Sequence, residues 1–174
     1  MNIKTLLLFV GIIAGFIFSC VPPKVYPIEP EISFKEMILI DGHDTLGNLV
    51  KRVIFTMSVV DGDGDIGLPE DITFPGFDTL GNKNLFIELY NKVDGVFEKV
   101  ELAAPLYYRT AFLKPEGQDK SLTADFEITM DNYQFDDYDT IKYDFHIYDR
   151  QLHKSNTGET PAVPADTSGV IQVP

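Results

Sequence analysis

Residues 122–130 read LTADFEITM, and apolar and polar side chains alternate along them one by one. In an extended strand, this period of two places the apolar side chains on one face and the polar ones on the other. The same alternation runs through residues 53–60 and 141–148. Helical periodicity is hard to find beyond residue 32, so the sequence predicts an all-β chain of half-buried strands.

Turn signals separate further candidate strands. Residues 85–91 and 96–102 flank Asp94-Gly95, a dipeptide that tolerates the positive φ angles of a type I′ hairpin turn. Other short strand candidates occur at 33–40, 106–113 and near 157–163. Seven to eight antiparallel strands joined by turns are typical of a β-sandwich, which is the predicted fold.

The length and composition of the chain narrow the class of protein. Its 174 residues fit one domain, and a hydrophobic content of 44% excludes a disordered chain. The net charge is −13, which argues against nucleic acid as a partner because phosphate binding needs clustered positive charge. A single Cys excludes a disulfide framework and Cys-rich zinc sites.

One segment refines the predicted fold. Residues 139–145, DTIKYDF, resemble the D-x-A-x-Y-x-C stretch that opens strand F in immunoglobulin-like domains. The resemblance implies an immunoglobulin-like sandwich in which the Tyr143 hydroxyl bonds back to the preceding turn and Phe145 replaces the disulfide Cys. It also implies that residues 50–60 form strand B, whose following loop emerges at the same end as the loop after strand F. The alternative is a core Tyr143 beside a solvent-facing Asp139, without such a corner.

The first twenty residues predict export. Lys4 precedes residues 6–18, which are thirteen uncharged residues, and Ser19-Cys20 follows. At about 1.5 Å per residue, such a helix is too short to cross about 30 Å of hydrocarbon, so a secretory signal is favoured over a transmembrane helix. Residues 17–20, IFSC, resemble a bacterial lipobox. The resemblance implies removal of residues 1–19 as a lipoprotein signal peptide and a diacylglycerol membrane anchor on Cys20; the alternative is a plain secretory signal and a free Cys.

The remaining chain divides into a tether, a domain and a tail. Residues 20–31 contain the expected lipidated Cys and a Pro-rich stretch, and this composition predicts an extended tether. The sandwich is assigned to residues 32–165 and a C-terminal tail to residues 166–174. This organisation resembles that of small lipoproteins of Gram-negative bacteria. The resemblance implies a lipid-anchored protein of the bacterial cell envelope, with the outer membrane as the expected location and its face left open.

The segment with the clearest chemistry follows the strand at 53–60. Residues 61–71 read DGDGDIGLPED, with Asp at the first, third and fifth positions. The intervening Gly residues let the backbone curl, so that alternate carboxylates converge on a hard cation such as calcium, which takes roughly six to eight oxygen ligands. Two carboxylates about 4 Å apart repel by about 1 kcal/mol in water and about 4 kcal/mol at an effective dielectric constant of about 20. Convergence without a cation is therefore unfavourable.

The first five positions of this loop resemble the D-x-D-x-D-G loops of EF-hands, dockerins and thrombospondin repeats. Ile66 and Ile72 stand where an EF-hand has Gly and a bidentate Glu, and a strand precedes the loop, so an EF-hand is not expected. We predict instead a calcium site between two loops, with one carboxylate supplied from beyond residues 141–148. The expected ligands are the side chains of Asp61, Asp63, Asp65 and Asp149 and the carbonyl of Gly67, with Asn156, Glu70 and Asp71 as further candidates.

Two alternatives remain for this loop. Asp-Gly pairs are common in turns, so a solvated acidic turn needs no ion, and another metal could take the place of calcium. If calcium binds, its predicted role is structural, because an ion at this position would fix a loop at one end of the sandwich.

The sequence lacks known catalytic motifs. It contains no G-x-S-x-G, no H-E-x-x-H and no phosphate-binding loop, so a non-catalytic protein is predicted. We expect a binding or assembly module whose partner is an envelope protein or a glycan. In the alternative, a carbohydrate-binding module, exposed aromatic side chains stack on sugars, with Tyr133 and Phe135 as the candidate residues.

Overall fold

The computed structural model describes residues 25–70, 74–116, 119–133 and 135–172. These residues form ten β-strands and one 3₁₀ turn at Phe135–Asp137. No helix that could span a membrane is found in this part of the chain. The expected signal peptide, residues 1–19, and the expected lipidation site, Cys20, lie outside the described residues. The strands are β1 (Glu31–His43), β2 (Leu49–Asp61), β3 (Leu85–Val93), β4 (Val96–Lys99), β5 (Leu106–Tyr108), β6 (Leu122–Asn132), β7 (Thr140–Ile147), β8 (Gly158–Glu159), β9 (Val163–Pro164) and β10 (Gly169–Gln172).

The strands form two antiparallel sheets. The first sheet has the order β10-β1-β2-β6. The second has the order β4-β3-β7-β8, with β5 also pairing with β3 and β9 with β7. The all-β sandwich predicted from the alternation is confirmed, with more strands than the seven to eight expected.

Strand β2 lies inside the first sheet and supplies much of the core. It pairs with β1 on one side and with β6 on the other, from Lys51 opposite Asn132 to Asp61 opposite Leu122. Its alternation directs every second side chain inward. The inward-facing side chains are completely buried: Val53, Phe55, Met57 and Val59.

Strand β7 faces β2 across the core. The rings of Phe55 in β2 and Phe145 in β7 lie 4.8 Å apart between centroids, at an interplanar angle of 69°. An edge-to-face contact of this kind stabilises the packing beyond the area that the rings bury. The two sheets are thus packed together through β2 and β7, the strands that precede residues 61–71 and Asp149.

Tyr143 of β7 is completely buried. Its hydroxyl oxygen accepts a hydrogen bond from Asn132 Nδ2 at 3.3 Å, and Asn132 is the last residue of β6, before the connection to β7. The Tyr143 hydroxyl is therefore hydrogen-bonded to the start of the connection between β6 and β7, through the side-chain amide of Asn132. Burial raises the pKa of Tyr143, so its hydroxyl stays protonated.

The short strands differ from the prediction. Residues 166–174, expected to form a tail, contain β10, which pairs with β1 through residues 169–172. The sandwich therefore extends past residue 165, the predicted domain boundary. Of residues 106–113, only 106–108 form a strand. Strands of two to four residues are too short to show an alternation, which is why the pattern missed β10 and did not give the bounds of the other short strands.

The packing of β2 on β7 gives a first testable expectation. Phe55→Ala removes a completely buried ring from the contact with Phe145, and we expect the free energy of unfolding to fall by about 3–5 kcal/mol. Urea denaturation followed by circular dichroism measures this loss. As a control, Leu46→Ala at a side chain 86% exposed should change the free energy by less than about 0.5 kcal/mol. Equal effects of the two substitutions would contradict the described core.

Candidate metal centre

Two loops meet at one end of the sandwich, which we call the acidic pole. β2 ends at Asp61, where the acidic loop of residues 61–70 begins. β7 ends at Ile147, and the turn of residues 149–153 follows. The amide of Arg150 donates to the carbonyl of Asp65 at 3.1 Å, so the two loops are in direct contact.

Four aspartates converge at the acidic pole. One oxygen from each carboxylate of Asp61, Asp63, Asp65 and Asp149 lies within 4.8 Å of the others. Asp61 and Asp149 are completely buried, and the other two are partly buried. The predicted convergence of the two loops, with Asp149 joining the three loop aspartates, is confirmed. These four residues could hold a metal ion.

Three carboxylate oxygens of this cluster are buried without a partner. Oδ1 of Asp61, Asp63 and Asp65 has no hydrogen-bond donor. The second oxygen of Asp61 accepts a bond from the amide of Asp65 at 2.8 Å, and that of Asp63 accepts one from Gln151 Nε2 at 2.6 Å. Buried polar atoms are nearly always bonded in folded proteins. Oriented carboxylates that each keep one unpaired oxygen are therefore typical of a cation site.

Asp149 is positioned by its own turn. Its Oδ1 accepts hydrogen bonds from the amides of Gln151 and His153, each at 2.8 Å. Its Oδ2 pairs with His153 Nδ1 at 2.7 Å, and this contact raises the pKa of His153. Asp149 is thus held in place independently of the three loop aspartates.

The electrostatics of the cluster oppose its full ionisation. Burial raises the pKa of Asp61 to about 6, and the negative charges of Asp63, Asp65 and Asp149 add to that rise, although the hydrogen bond from the Asp65 amide opposes it. Burial also raises the pKa of Asp65, with further contributions from Asp149 and Asp63. A divalent cation would relieve both effects, because it supplies the positive charge that the buried carboxylates lack.

Arg150 holds the backbone of the acidic loop in place. Its guanidinium lies over the ring of Phe112, with 4.6 Å between the guanidinium carbon and the ring centroid. Sequence reasoning gave this residue no role, although an Arg directly after Asp149 at an acidic pole was a usable signal. The guanidinium donates hydrogen bonds to four carbonyls: those of Ile66 at 2.8 Å, Gly67 at 3.1 Å, Leu113 at 3.3 Å and Gly64 at 3.3 Å.

The Gly67 carbonyl, predicted as a ligand, is one of these four acceptors. A guanidinium on this oxygen disfavours a metal ion there, because the two positive charges would repel. A glycine is needed at position 67 for its backbone conformation and for the close approach of a neighbouring chain segment. Its φ is +85°, and a Cβ atom at this position would lie 1.8 Å from the carbonyl oxygen of Ala111.

The further ligand candidates are not part of the cluster. Asn156 pairs with the backbone of Ile32, donating from Nδ2 to the carbonyl at 2.9 Å and accepting from the amide at 2.8 Å. Its side chain therefore stabilises the start of β1. Glu70 is exposed, and its carbonyl accepts a bond from Arg109 at 3.0 Å. Asp71 lies outside the described residues.

The candidate sugar-binding aromatics lie at the other end of β2, away from the acidic pole. Tyr133 is 62% exposed and lines a cavity of about 440 Å³ together with Tyr138 and Leu102. Phe135 is only 6% exposed and belongs to the hydrophobic core. Its ring offers no free face to a ligand, so the structure contradicts the stacking role predicted for it.

Comparisons with known proteins add no assignment. No protein-family model, no curated protein and no solved structure matches this chain.

The buried carboxylates predict how stability varies with pH when no cation is bound. The pKa of Asp61 is about 6 in the folded protein against a usual value of 3.8, so the folded state holds this proton more tightly. The free energy of unfolding should therefore fall as the pH rises through this window. We expect a higher melting temperature at a pH of about 5 than at about 7.5 in the presence of EDTA.

A substitution isolates the contribution of Asp61 from that of the other titrating groups. Asp61→Asn should flatten this pH dependence, whereas Asp94→Asn, at the exposed turn between β3 and β4, should leave it as in the unmodified protein. Thermal melts across this pH range measure both variants. If the melting temperature of the unmodified protein varied with pH as little as that of Asp61→Asn, folding would not raise the pKa of Asp61.

Proposed function

We propose that this protein is a non-catalytic, lipid-anchored protein of the bacterial cell envelope. In this proposal, its β-sandwich is stabilised by calcium at the acidic pole and serves as a binding or assembly module. The observation that carries the proposal is Asp61, which is completely buried in a cluster of four aspartates and keeps one oxygen without a hydrogen-bond donor.

The chemistry of the cluster supports calcium over other metals. All four side chains that converge are carboxylates, which are hard oxygen ligands. Zinc and copper favour nitrogen and sulfur ligands, and the neighbouring imidazole of His153 is already paired with Asp149. Magnesium demands a near-octahedral arrangement and keeps its waters, whereas calcium accepts several carboxylates in irregular geometry.

A structural role for the ion follows from what the cluster joins. Three of the aspartates lie on the loop after β2 and the fourth lies after β7, so an ion between them would cross-link the two sheets. It would also remove the repulsion among buried carboxylates. We assign no reaction to this site, because the sequence carries no catalytic motif.

The strand order supports an immunoglobulin-like arrangement. β1, β2 and β6 are neighbours in one sheet, and β4, β3, β7 and β8 in the other. Immunoglobulin-like domains place strands A, B and E in one sheet and strands C, F and G in the other. In this assignment β2 is strand B and β7 is strand F, and Tyr143 occupies the position of the corner tyrosine.

The calcium proposal is tested by thermal melting with a matched pair of variants. Added calcium should raise the melting temperature above that in EDTA, because the ion binds the folded state, with about 2.7 kcal/mol of stabilisation at a hundredfold excess over Kd. Magnesium at the same concentration should stabilise less. Asp63→Asn should weaken the calcium effect, and Asp94→Asn should preserve it. Equal melting temperatures in EDTA and in calcium would exclude the metal site.

The anchor is tested separately in a Gram-negative host. We expect the full-length chain to incorporate a fatty-acid analogue during growth and to sediment with membranes, because the lipobox-like residues 17–20 direct acylation of Cys20. Cys20→Ser should abolish the label. Mass spectrometry of the mature N terminus measures the same modification. A protein cleaved and exported without the label would identify a plain secretory signal.

A further inference from the structure

Residues 25–30, which we call the N-terminal segment, lie directly against the acidic loop. The amide of Gly62 donates a hydrogen bond to the carbonyl of Pro27 at 2.8 Å. A Cβ atom on Gly62 would lie 2.4 Å from the carbonyl oxygens of both Tyr26 and Pro27. No side chain therefore fits between the segment and the loop, and this contact sits between two of the four clustered aspartates, Asp61 and Asp63.

A second irregular segment covers the other side of the acidic loop. The amide of Leu68 donates to the carbonyl of Thr110 at 3.2 Å, and the amide of Leu113 donates to that of Ile66 at 3.3 Å. Arg150 adds its bond to the carbonyl of Leu113. Two backbone hydrogen bonds and Arg150 therefore hold the acidic loop to residues 110–113. The N-terminal segment is bonded to the loop at Gly62.

The charges of the clustered carboxylates act next to the surface that the N-terminal segment contacts. Asp61 and Asp63 flank Gly62 and each carries a buried, unpaired oxygen. Repulsion among the ionised groups favours a loop in which these side chains move apart. Because the Gly62 backbone lies between them, such a movement changes the surface on which Pro27 is seated.

We propose that a cation bound by the four aspartates also locks the N-terminal segment onto the acidic loop, so that occupancy of the site controls how the domain is held relative to its membrane anchor. This inference rests on the proposed function, since it needs a cation at the cluster and a lipid anchor on Cys20. It adds a regulated contact between the metal site and the segment that leads to Cys20.

The contact limits how far the domain can lie from the expected anchor on Cys20. Pro27 is seven residues from Cys20, so a locked segment keeps the acidic pole within about 25 Å of the anchor. When the segment is released, the first firmly paired residue is Glu31 at the start of β1, and the maximal reach grows to about 40 Å. Calcium would therefore shorten the maximal reach of the tether.

Hydrogen exchange on the full-length chain in detergent micelles tests the contact directly. Calcium should slow the exchange of the Gly62 amide, which donates the bond to Pro27, by about five- to 150-fold relative to EDTA, the range of ordinary coupling between two sites. Residues 93–96, at the exposed turn between β3 and β4, serve as the internal control and should exchange equally in both conditions.

Coupling is reciprocal, so weakening the contact must weaken calcium binding. Gly62→Ala should lower the calcium affinity measured by titration calorimetry, while Gly42→Ala, where a Cβ meets nothing within 4 Å, should not. Pro27→Gly leaves the acidic loop unchanged and makes the released segment more flexible. It should lower the affinity by about two- to fivefold.

The outcomes separate this inference from the proposed function. If calcium binds and raises the melting temperature, but the exchange of the Gly62 amide or the calcium affinity of Pro27→Gly is unchanged, the lock is wrong and the metal site stands. If calcium does not bind, the proposed function fails and this inference fails with it. Slower exchange together with weaker binding by Pro27→Gly supports the lock.

Discussion

Repulsion among four clustered carboxylates, two of them completely buried, is the constraint on which the acidic pole depends. Folding brings Asp61, Asp63, Asp65 and Asp149 together although their charges oppose it. Arg150 lies next to the cluster, but its donors are used on backbone carbonyls of the acidic loop and of Leu113. The donors of Arg150 are thus used on the backbone, and the unpaired oxygens of Asp61, Asp63 and Asp65 remain available to a cation.

The sandwich provides the rigid frame for this arrangement. β2 and β7 are held against each other by Phe55 and Phe145, and each strand continues directly into one of the two loops that carry the aspartates. A site placed at the ends of packed strands is positioned more precisely than one built within a single flexible loop. The immunoglobulin-like strand order proposed here explains why these two loops share one end.

Much of the fold and the centre of the site could be predicted from the sequence. β2, β6 and β7 are long enough for their alternation to be visible, and the placement of Asp149 followed from assigning β2 and β7 to strands whose loops emerge together. A strand was predicted near residues 157–163, where β8 and β9 lie, but β10 could not be found in this way, because its position depends on a longer neighbour that offers an open edge. The bond from Arg150 to the Gly67 carbonyl was missed, since the partner of a carbonyl oxygen is decided by tertiary contacts. Phe135 was misplaced because an aromatic residue among polar neighbours looks the same in sequence whether its ring points outward or into the core.

The distance in sequence between Asp61 and Asp149 has a consequence for the order of events after synthesis. The first aspartates belong to the loop after the second strand, while the fourth follows the seventh, so a complete set of ligands exists only after most of the chain has been made and both sheets have closed. A chain kept unfolded for export would bind a divalent ion weakly, and ion capture would come last. If the chain is exported and binds a cation, as proposed, the ion-free unfolded chain lies on one side of the exporting membrane and the ion-bound folded domain on the other.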